Sequence, residues 1–190
     1  MRAAFVDRDG VINELVGEPP ESPLRPEDVM LIDGSADALK RLKAAGWLLI
    51  GVSNQPAAAK GTTSLEQLEA VQAHVLELLA AEGVRLDDFK ICWHHPDGVV
   101  GELSGPCRCR KPCPGLLLDA AAENRIDLED SWMIGDTDAD VLAGKAAGCH
   151  TAVVENRASV HKRGATAQPE LAVQTLADAV HVLLQGSVHD

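Results

Sequence analysis

The stretch Ala3-Ala4-Phe5-Val6-Asp7-Arg8-Asp9-Gly10 sets a short apolar run directly against two carboxylates and a glycine. An apolar run of that length, bounded by turn residues, reads as a buried strand. Carboxylates at i and i+2 around a sharp turn can face one pocket, where one attacks an electrophile and the other handles protons. Asp7 to Gly10 would equally suit an ordinary polar turn between a strand and a helix. The rest of the chain decides between the two.

The same alternation recurs downstream. Residues 36–45 read as a helix with Ser35 as N-cap and Gly46 beyond its end, and 47–52 as a strand ending at Ser53. Residues 65–82 form an amphipathic helical pattern, with Ser64 and Gln67 placed as a capping box and Gly83 as the stop. A third strand over 89–93 leads into an irregular stretch, 94–112. Then come a helix over 115–124 with Pro114 suited to its first turn, a strand over 131–134, a helix over 138–147 and a strand over 151–154. A short strand at 171–173 and a helix at 176–185 complete the pattern. Strands alternating with helices imply right-handed crossovers. The expected fold is therefore α/β: one Rossmann-like parallel sheet with helices on both faces. Sites in such sheets gather at the carboxyl ends of strands. Asp7, Ser53 and Asp136 each follow a predicted strand, and Lys111 lies in a loop. No repeat or linker divides the chain, so 1–190 is expected to be a single domain. Its most irregular connection is 17–26, with prolines at 19, 20, 23 and 26.

Composition narrows the partners. The chain has 190 residues, enough to bury a core without staples. It is 46% hydrophobic but only 3% aromatic, with no Tyr, so the core must be aliphatic and platforms for stacking bases are few. A net charge of −12 repels nucleic acids and anionic membranes, while local positive charge still admits a small phosphorylated substrate. No segment approaches the roughly 20 apolar residues that span a bilayer. The run before Asp7 is too short for a signal-peptide core. A cytoplasmic monomer without nucleic-acid or membrane partners is expected.

Three further motifs join Asp7 and Asp9. Gly135-Asp136-Thr137-Asp138-Ala139-Asp140 offers hard oxygen ligands for Mg²⁺, or acids that cap a helix, with Asp138 as its N-cap. Ser53-Asn54 offers a hydroxyl and N–H groups to cradle phosphate, or another cap. Arg110-Lys111-Pro112 supplies the cation that a pocket of carboxylates and phosphate requires, where an ordinary lysine would be solvated.

Five cysteines are present, an odd number, and Cys92, Cys107, Cys109 and Cys113 are clustered. In a reducing compartment such clustering reads as metal binding. Cys92-Trp93-His94 and Cys107-Arg108-Cys109 supply three thiolates and an imidazole, a closed set for structural Zn²⁺ in a loop over 92–109. His95 and Cys113 compete as ligands. Cys149 reads as core.

Asp-x-Asp, Ser, Lys and Gly-Asp in this order resemble the haloacid dehalogenase superfamily, over residues 3–154. Asp7-Arg8-Asp9-Gly10-Val11-Ile12-Asn13, Ser53-Asn54-Gln55, Cys92-Trp93-His94-His95-Pro96 and Cys107-Arg108-Cys109-Arg110-Lys111-Pro112 look like one branch of it. That branch contains the D-glycero-D-manno-heptose 1,7-bisphosphate phosphatases and the histidinol-phosphate phosphatases. The resemblance implies a Mg²⁺-dependent phosphatase in which Asp7 becomes an aspartyl-phosphate. Asp9 would protonate the leaving oxygen and then activate water. Mg²⁺ would sit on Asp7, the Asp9 carbonyl and Asp136. Ser53 and Lys111 would neutralise the transferring oxygens, with Asp140 supporting Lys111. The metal loop would replace a cap domain and leave the pocket open. Asn54, Gln55 and Arg110 would meet the substrate, a heptose 1,7-bisphosphate whose second phosphate accepts the fork of Arg110. Histidinol phosphate is the alternative substrate. A polynucleotide end phosphatase is disfavoured by charge. A zinc-stabilised binding module is the non-enzymatic alternative. The loop 17–26 lacks the aromatic and His residues frequent in the branch, and Pro56-Ala57-Ala58 replaces a more usual Ser-Gly. Both departures bear on the substrate, not the chemistry.

Overall fold

The computed structural model describes residues 1–164 and 166–186. Its apolar run at 3–6 forms β1 (Ala3–Val6), flanked on both sides within one sheet of six parallel strands. The others are β2 (Leu48–Asn54), β3 (Asp88–Cys92), β4 (Trp132–Gly135), β5 (His150–Val154) and β6 (Leu171–Val173). Their order is β3-β2-β1-β4-β5-β6. Among the described residues five α-helices connect and cover them: α1 (Ser35–Ala44), α2 (Leu65–Ala81), α3 (Gly115–Asn124), α4 (Asp138–Ala147) and α5 (Leu176–Gly186).

The two-residue period of a strand distributes β1 between two cores. Ala4 and Val6 pack with Leu39 and Leu42 of α1, Val71, Val75 and Leu79 of α2, and Val180 and Leu183 of α5. Ala3 and Phe5 pack with Ile50, Val52, Met133 and Leu116, Leu117 and Ala120 of α3 on the other face. Each fully buried aliphatic side chain contributes roughly 1.5–3 kcal/mol. Leu39, Leu42, Leu49, Ile50 and Leu117 are fully buried, so a core nearly without aromatics is still a sufficient one.

Local chemistry moves some expected boundaries. Ser35 is the first residue of α1, not its cap. Gly34 caps the helix at φ 76, and Ser35 Oγ turns inward to the Ile12 carbonyl at 3.1 Å. Ser64 caps α2 as expected, accepting from the Gln67 N–H at 3.1 Å. Pro114 is the N-cap of α3, one position before the first turn. Thr137, not Asp138, is the N-cap of α4. β2 runs on to Asn54, so Ser53 belongs to the strand instead of following it. The loop 17–26 doubles back, with Val16 and Glu21 exchanging backbone hydrogen bonds of 2.8 and 2.9 Å. Among the described residues no helix is long and apolar enough to cross a membrane.

Candidate active site

Strand order reverses between β1 and β4, the two strands that diverge to opposite halves of the sheet. Crossovers leave that point in opposite directions, which opens a crevice at the carboxyl ends. Asp7 leaves β1 and Asp136 leaves β4 on either side of it, tied by the Asp7 N–H to the Ile134 carbonyl at 2.9 Å. The crevice is a cavity of about 390 Å³ whose floor includes Asp7, Asp9, Ser53, Lys111, Asp136 and Asp140.

Lys111 reaches this floor from the loop before α3 and is 3% exposed. Its ammonium lies 3.0 Å from Asp7 Oδ1 and 2.5 Å from Asp140 Oδ1, and donates to the Val52 carbonyl at 2.9 Å. Burial alone would depress its pKa, but the charges of Asp140 and Asp7 outweigh burial and hold it above the usual lysine range. Asp140 Oδ2 accepts from the Thr137 N–H at 3.1 Å and the Thr137 hydroxyl at 2.6 Å. Both Asp140 oxygens are therefore engaged, and this acid serves Lys111 and the start of α4.

Asp7, Asp136 and Asp140 bring carboxylate oxygens within 4.8 Å of one another. Asp136 Oδ1 is buried without a hydrogen-bond partner. Burial first, and the charge of Asp140 second, push Asp136 up to about 7. Burial first, and Asp140 second, also push Asp7 well above the usual carboxylate range. Crowded hard oxygens with one orphaned atom suit a divalent cation. Gly10 leaves the space: at φ +85, a Cβ there would meet Asp136 Oδ2 at 2.1 Å.

The segment after β5 ties the same loops together. Asn156 Nδ2 donates to the Gly10 carbonyl at 3.0 Å. Ser159 Oγ and Arg163 Nη1 donate to the Asp136 carbonyl at 3.2 and 3.1 Å. Sequence reading passed over these three residues. They belong to no motif, and only their neighbours in space give them meaning.

Asp9 is held differently. Arg8 Nε and Nη2 reach its two oxygens at 3.0 and 3.1 Å, Asn13 Nδ2 reaches Oδ1 at 2.9 Å, and Gln55 Nε2 reaches Oδ2 at 2.5 Å. Burial would raise its pKa, but the charge of Arg8 and the bonds from Arg8, Asn13 and Gln55 outweigh burial and hold Asp9 below the usual range. Gln55, expected at the substrate, does not line the cavity. Its amide bridges Asp9 and Ser53 Oγ, the latter at 2.9 Å. Asn54 does line it, while exchanging two 3.0 Å bonds with the Lys111 backbone.

Arg110, Lys60 and Lys162 also line the cavity, as do Glu21 and Ser22 of the 17–26 loop. Arg110 donates to the His94 carbonyl at 3.3 Å. Arg108 points elsewhere, its Nη2 donating to both oxygens of Asp119 at 2.8 and 2.9 Å.

Beside Arg110, the loop between β3 and α3 converges on one point. Cys92, His94, Cys107 and Cys109 offer ligand atoms within 4.8 Å of one another. The separations are 3.6 Å for Cys92–Cys107, 3.2 Å for Cys92–Cys109, 3.4 Å for Cys109–His94 Nδ1 and 3.8 Å for Cys92–His94 Nδ1. Ligands about 2.3 Å from a tetrahedral zinc lie roughly 3.8 Å apart, so the set fits that ion. His95 is turned to the Asp97 N–H at 3.1 Å, and neither it nor exposed Cys113 joins the cluster.

Comparison with known proteins agrees with this geometry. A family model described as HAD-hydrolase-like matches residues 108–179. The D-glycero-beta-D-manno-heptose-1,7-bisphosphate 7-phosphatase of Yersinia pestis is 41% identical over 152 residues, 80% of this chain and 79% of that protein. The Pasteurella multocida enzyme of the same name is 38% identical over 93% of this chain and 94% of its own. The D,D-heptose 1,7-bisphosphate phosphatase of B. bronchiseptica, solved with magnesium and phosphate, superposes with a TM-score of 0.82 at 29% identity, over 98% and 99% of the two chains. With likeness of this extent on a shared fold, the chain belongs to the heptose-bisphosphate phosphatase family of HAD-like hydrolases and is a phosphoric monoester hydrolase.

Proposed function

We propose that the chain is a Mg²⁺-dependent phosphatase that removes the 7-phosphate of D-glycero-D-manno-heptose 1,7-bisphosphate through an aspartyl-phosphate on Asp7. The observation that carries the chemistry is the Lys111 ammonium locked against Asp7, beside the unpartnered oxygen of Asp136. The substrate is supported by the chain's relatives, which are heptose-1,7-bisphosphate 7-phosphatases.

The Arg8 N–H, at 2.7 Å, and Lys111 both engage Asp7 Oδ1, so Oδ2 is the oxygen left to attack. It forms a bond to phosphorus while the bond from phosphorus to the sugar oxygen breaks. That oxygen takes a proton from Asp9, which enters this step protonated once the substrate releases one of its oxygens from the Arg8, Asn13 and Gln55 donors that hold it ionised at rest. In the second half Asp9 recovers a proton from water, the water oxygen bonds to phosphorus, and the bond to Asp7 breaks to release inorganic phosphate. Lys111 and the Ser53 hydroxyl neutralise and orient the oxygens in transit. Mg²⁺, when bound by Asp7, the Asp9 carbonyl and Asp136, supplies further charge neutralisation and alignment. Zn²⁺ on Cys92, His94, Cys107 and Cys109 is structural, because four protein ligands leave it no open position.

The second phosphate meets Arg110, with Asn54 lining the path to it. A charged hydrogen bond is worth roughly 1.5–3 kcal/mol, so Arg110→Ala should cut kcat/KM for the bisphosphate at least about tenfold, and for a sugar monophosphate by less. Asp7→Asn should abolish turnover of both while circular dichroism stays native. Equal losses in Arg110→Ala on both substrates, or a wild-type preference for histidinol phosphate, would remove the bisphosphate assignment. Activity in Asp7→Asn would remove the mechanism.

A further inference from the structure

Arg8 is the largest fully buried side chain of the protein's described residues, at 0% exposure, although it stands in an active-site loop. A guanidinium is not buried at random, because desolvating it is costly unless its donors are satisfied. Its partners say what it is for. Nε and Nη2 fork onto the two oxygens of its own neighbour, Asp9. Nη1 turns the other way and donates to Gln72 Oε1 at 3.1 Å. Gln72 lies on α2 among Leu68, Val71, Val75 and Leu79, at 8% exposure, a polar side chain on an otherwise apolar stripe. Neither Arg8 nor Gln72 lines the active-site cavity.

We propose that Arg8, braced on α2 by Gln72, is a positioning residue for Asp9, fixing the direction in which that carboxylate meets the leaving oxygen and the water. The inference rests on the role given to Asp9 above. A lone Asp at a loop position has several accessible χ1 and χ2 wells, and proton transfer requires hydrogen-bond reach. A planar fork fixes both torsions of Asp9 together, because it accepts only one orientation of the carboxylate plane. Gln72 fixes the fork in turn and ties it to a helix rather than to the loop. Asn13 Nδ2 and Gln55 Nε2 also donate to Oδ1 and Oδ2, and one of these amide contacts gives way when Asp9 meets the leaving oxygen while the Arg8 fork stays. A lysine could supply the charge but not the plane.

The test compares Arg8→Lys, Arg8→Met and Gln72→Met with wild type, using an alkyl phosphate, an aryl phosphate with a good leaving group, and inorganic phosphate as inhibitor. Positioning predicts that kcat for the alkyl ester falls at least about tenfold in both Arg8 variants. The first, phosphorylating half with the aryl ester, read as a burst of released phenol, should be nearly unchanged, because a good leaving group needs no acid. The inhibition constant of phosphate should move less than about twofold. Gln72→Met should show the same split with a smaller loss, and it remains informative if the Arg8 variants do not fold. Uniform losses on both esters with weakened phosphate inhibition would make Arg8 merely structural and overturn the proposal. So would wild-type alkyl turnover in Arg8→Lys. Asp9→Asn separates the two levels. If it keeps alkyl phosphatase activity, the role of Asp9 itself is wrong. If it is inactive while the Arg8 and Gln72 variants behave as wild type, only the positioning role fails.

Discussion

A methyl group is enough to distinguish Gly10 from every other residue at its position. The turn after Asp9 needs φ +85, and a Cβ there would fall 2.1 Å from Asp136 Oδ2. Gly10→Ala should therefore displace the Asp136 carboxylate without touching Asp7. Mg²⁺ that binds only the native state adds about 2.7 kcal/mol at one hundred times its dissociation constant. Wild type without substrate should show a matching rise in melting temperature on addition of Mg²⁺, and Gly10→Ala should lose most of that rise. An equal rise in both proteins would show that the close approach does not shape the metal site. Much of this geometry is legible in sequence. Asp7, Asp9, Lys111 and Asp136 meet as their motifs suggest, and Asp140 supports Lys111 at 2.5 Å. Arg8 escaped because a charged residue between two acids reads as solvated. The polar interruption at Gln72 of an apolar helical stripe was the available signal for it.

At the scale of an element, the loop between β3 and α3 carries both the Cys92, His94, Cys107 and Cys109 cluster and Arg110-Lys111. β3 delivers Cys92 in register with Asn54 of β2, and Asn54 in turn clasps the Lys111 backbone. Cys109 is two residues from Lys111, so the cluster sets where the Lys111 ammonium emerges. Cys107→Ser or Cys109→Ser should release zinc, measured by elemental analysis, and lower kcat through misplacement of Lys111. A loss of about 3 kcal/mol corresponds to a fall in melting temperature of roughly 6–12 °C for a chain of this length. Absence of zinc from wild type made with zinc supplied, or wild-type melting in both variants, would count against the assignment. The Cys and His spacing made this loop readable. Cap residues were harder, since Thr137 and Asp138 are both good caps by type. The choice between them falls to Asp140, which bonds back to Thr137, while Asp138 accepts instead from the Gly164 N–H at 2.7 Å.

Across the whole molecule, parallel β-strands and covering helices were legible as an alternation of patterns, but the strand order was not, because order is decided by which faces find each other over long separations. That order creates the crevice, and with it an electrostatic contrast. The chain carries a formal charge of −12, yet Lys60, Arg110 and Lys162 all line the cavity. A doubly phosphorylated substrate is repelled by the distant charge and attracted by the near one. Salt separates the two by range, because the Debye length shrinks from roughly 30 Å at 0.01 M to about 10 Å at 0.1 M. Distant repulsion is screened first, and contacts inside the cavity are screened least. Raising ionic strength over that interval, at fixed Mg²⁺, should therefore leave kcat/KM for the bisphosphate unchanged or raise it, by up to about threefold on the scale of partial electrostatic steering. In Arg110→Ala, with less near attraction to lose, the relative rise should be larger. A steep fall in wild type would mean that the basic residues lining the cavity, not the acidic body, govern capture, and that the net charge of the molecule is irrelevant to its substrate.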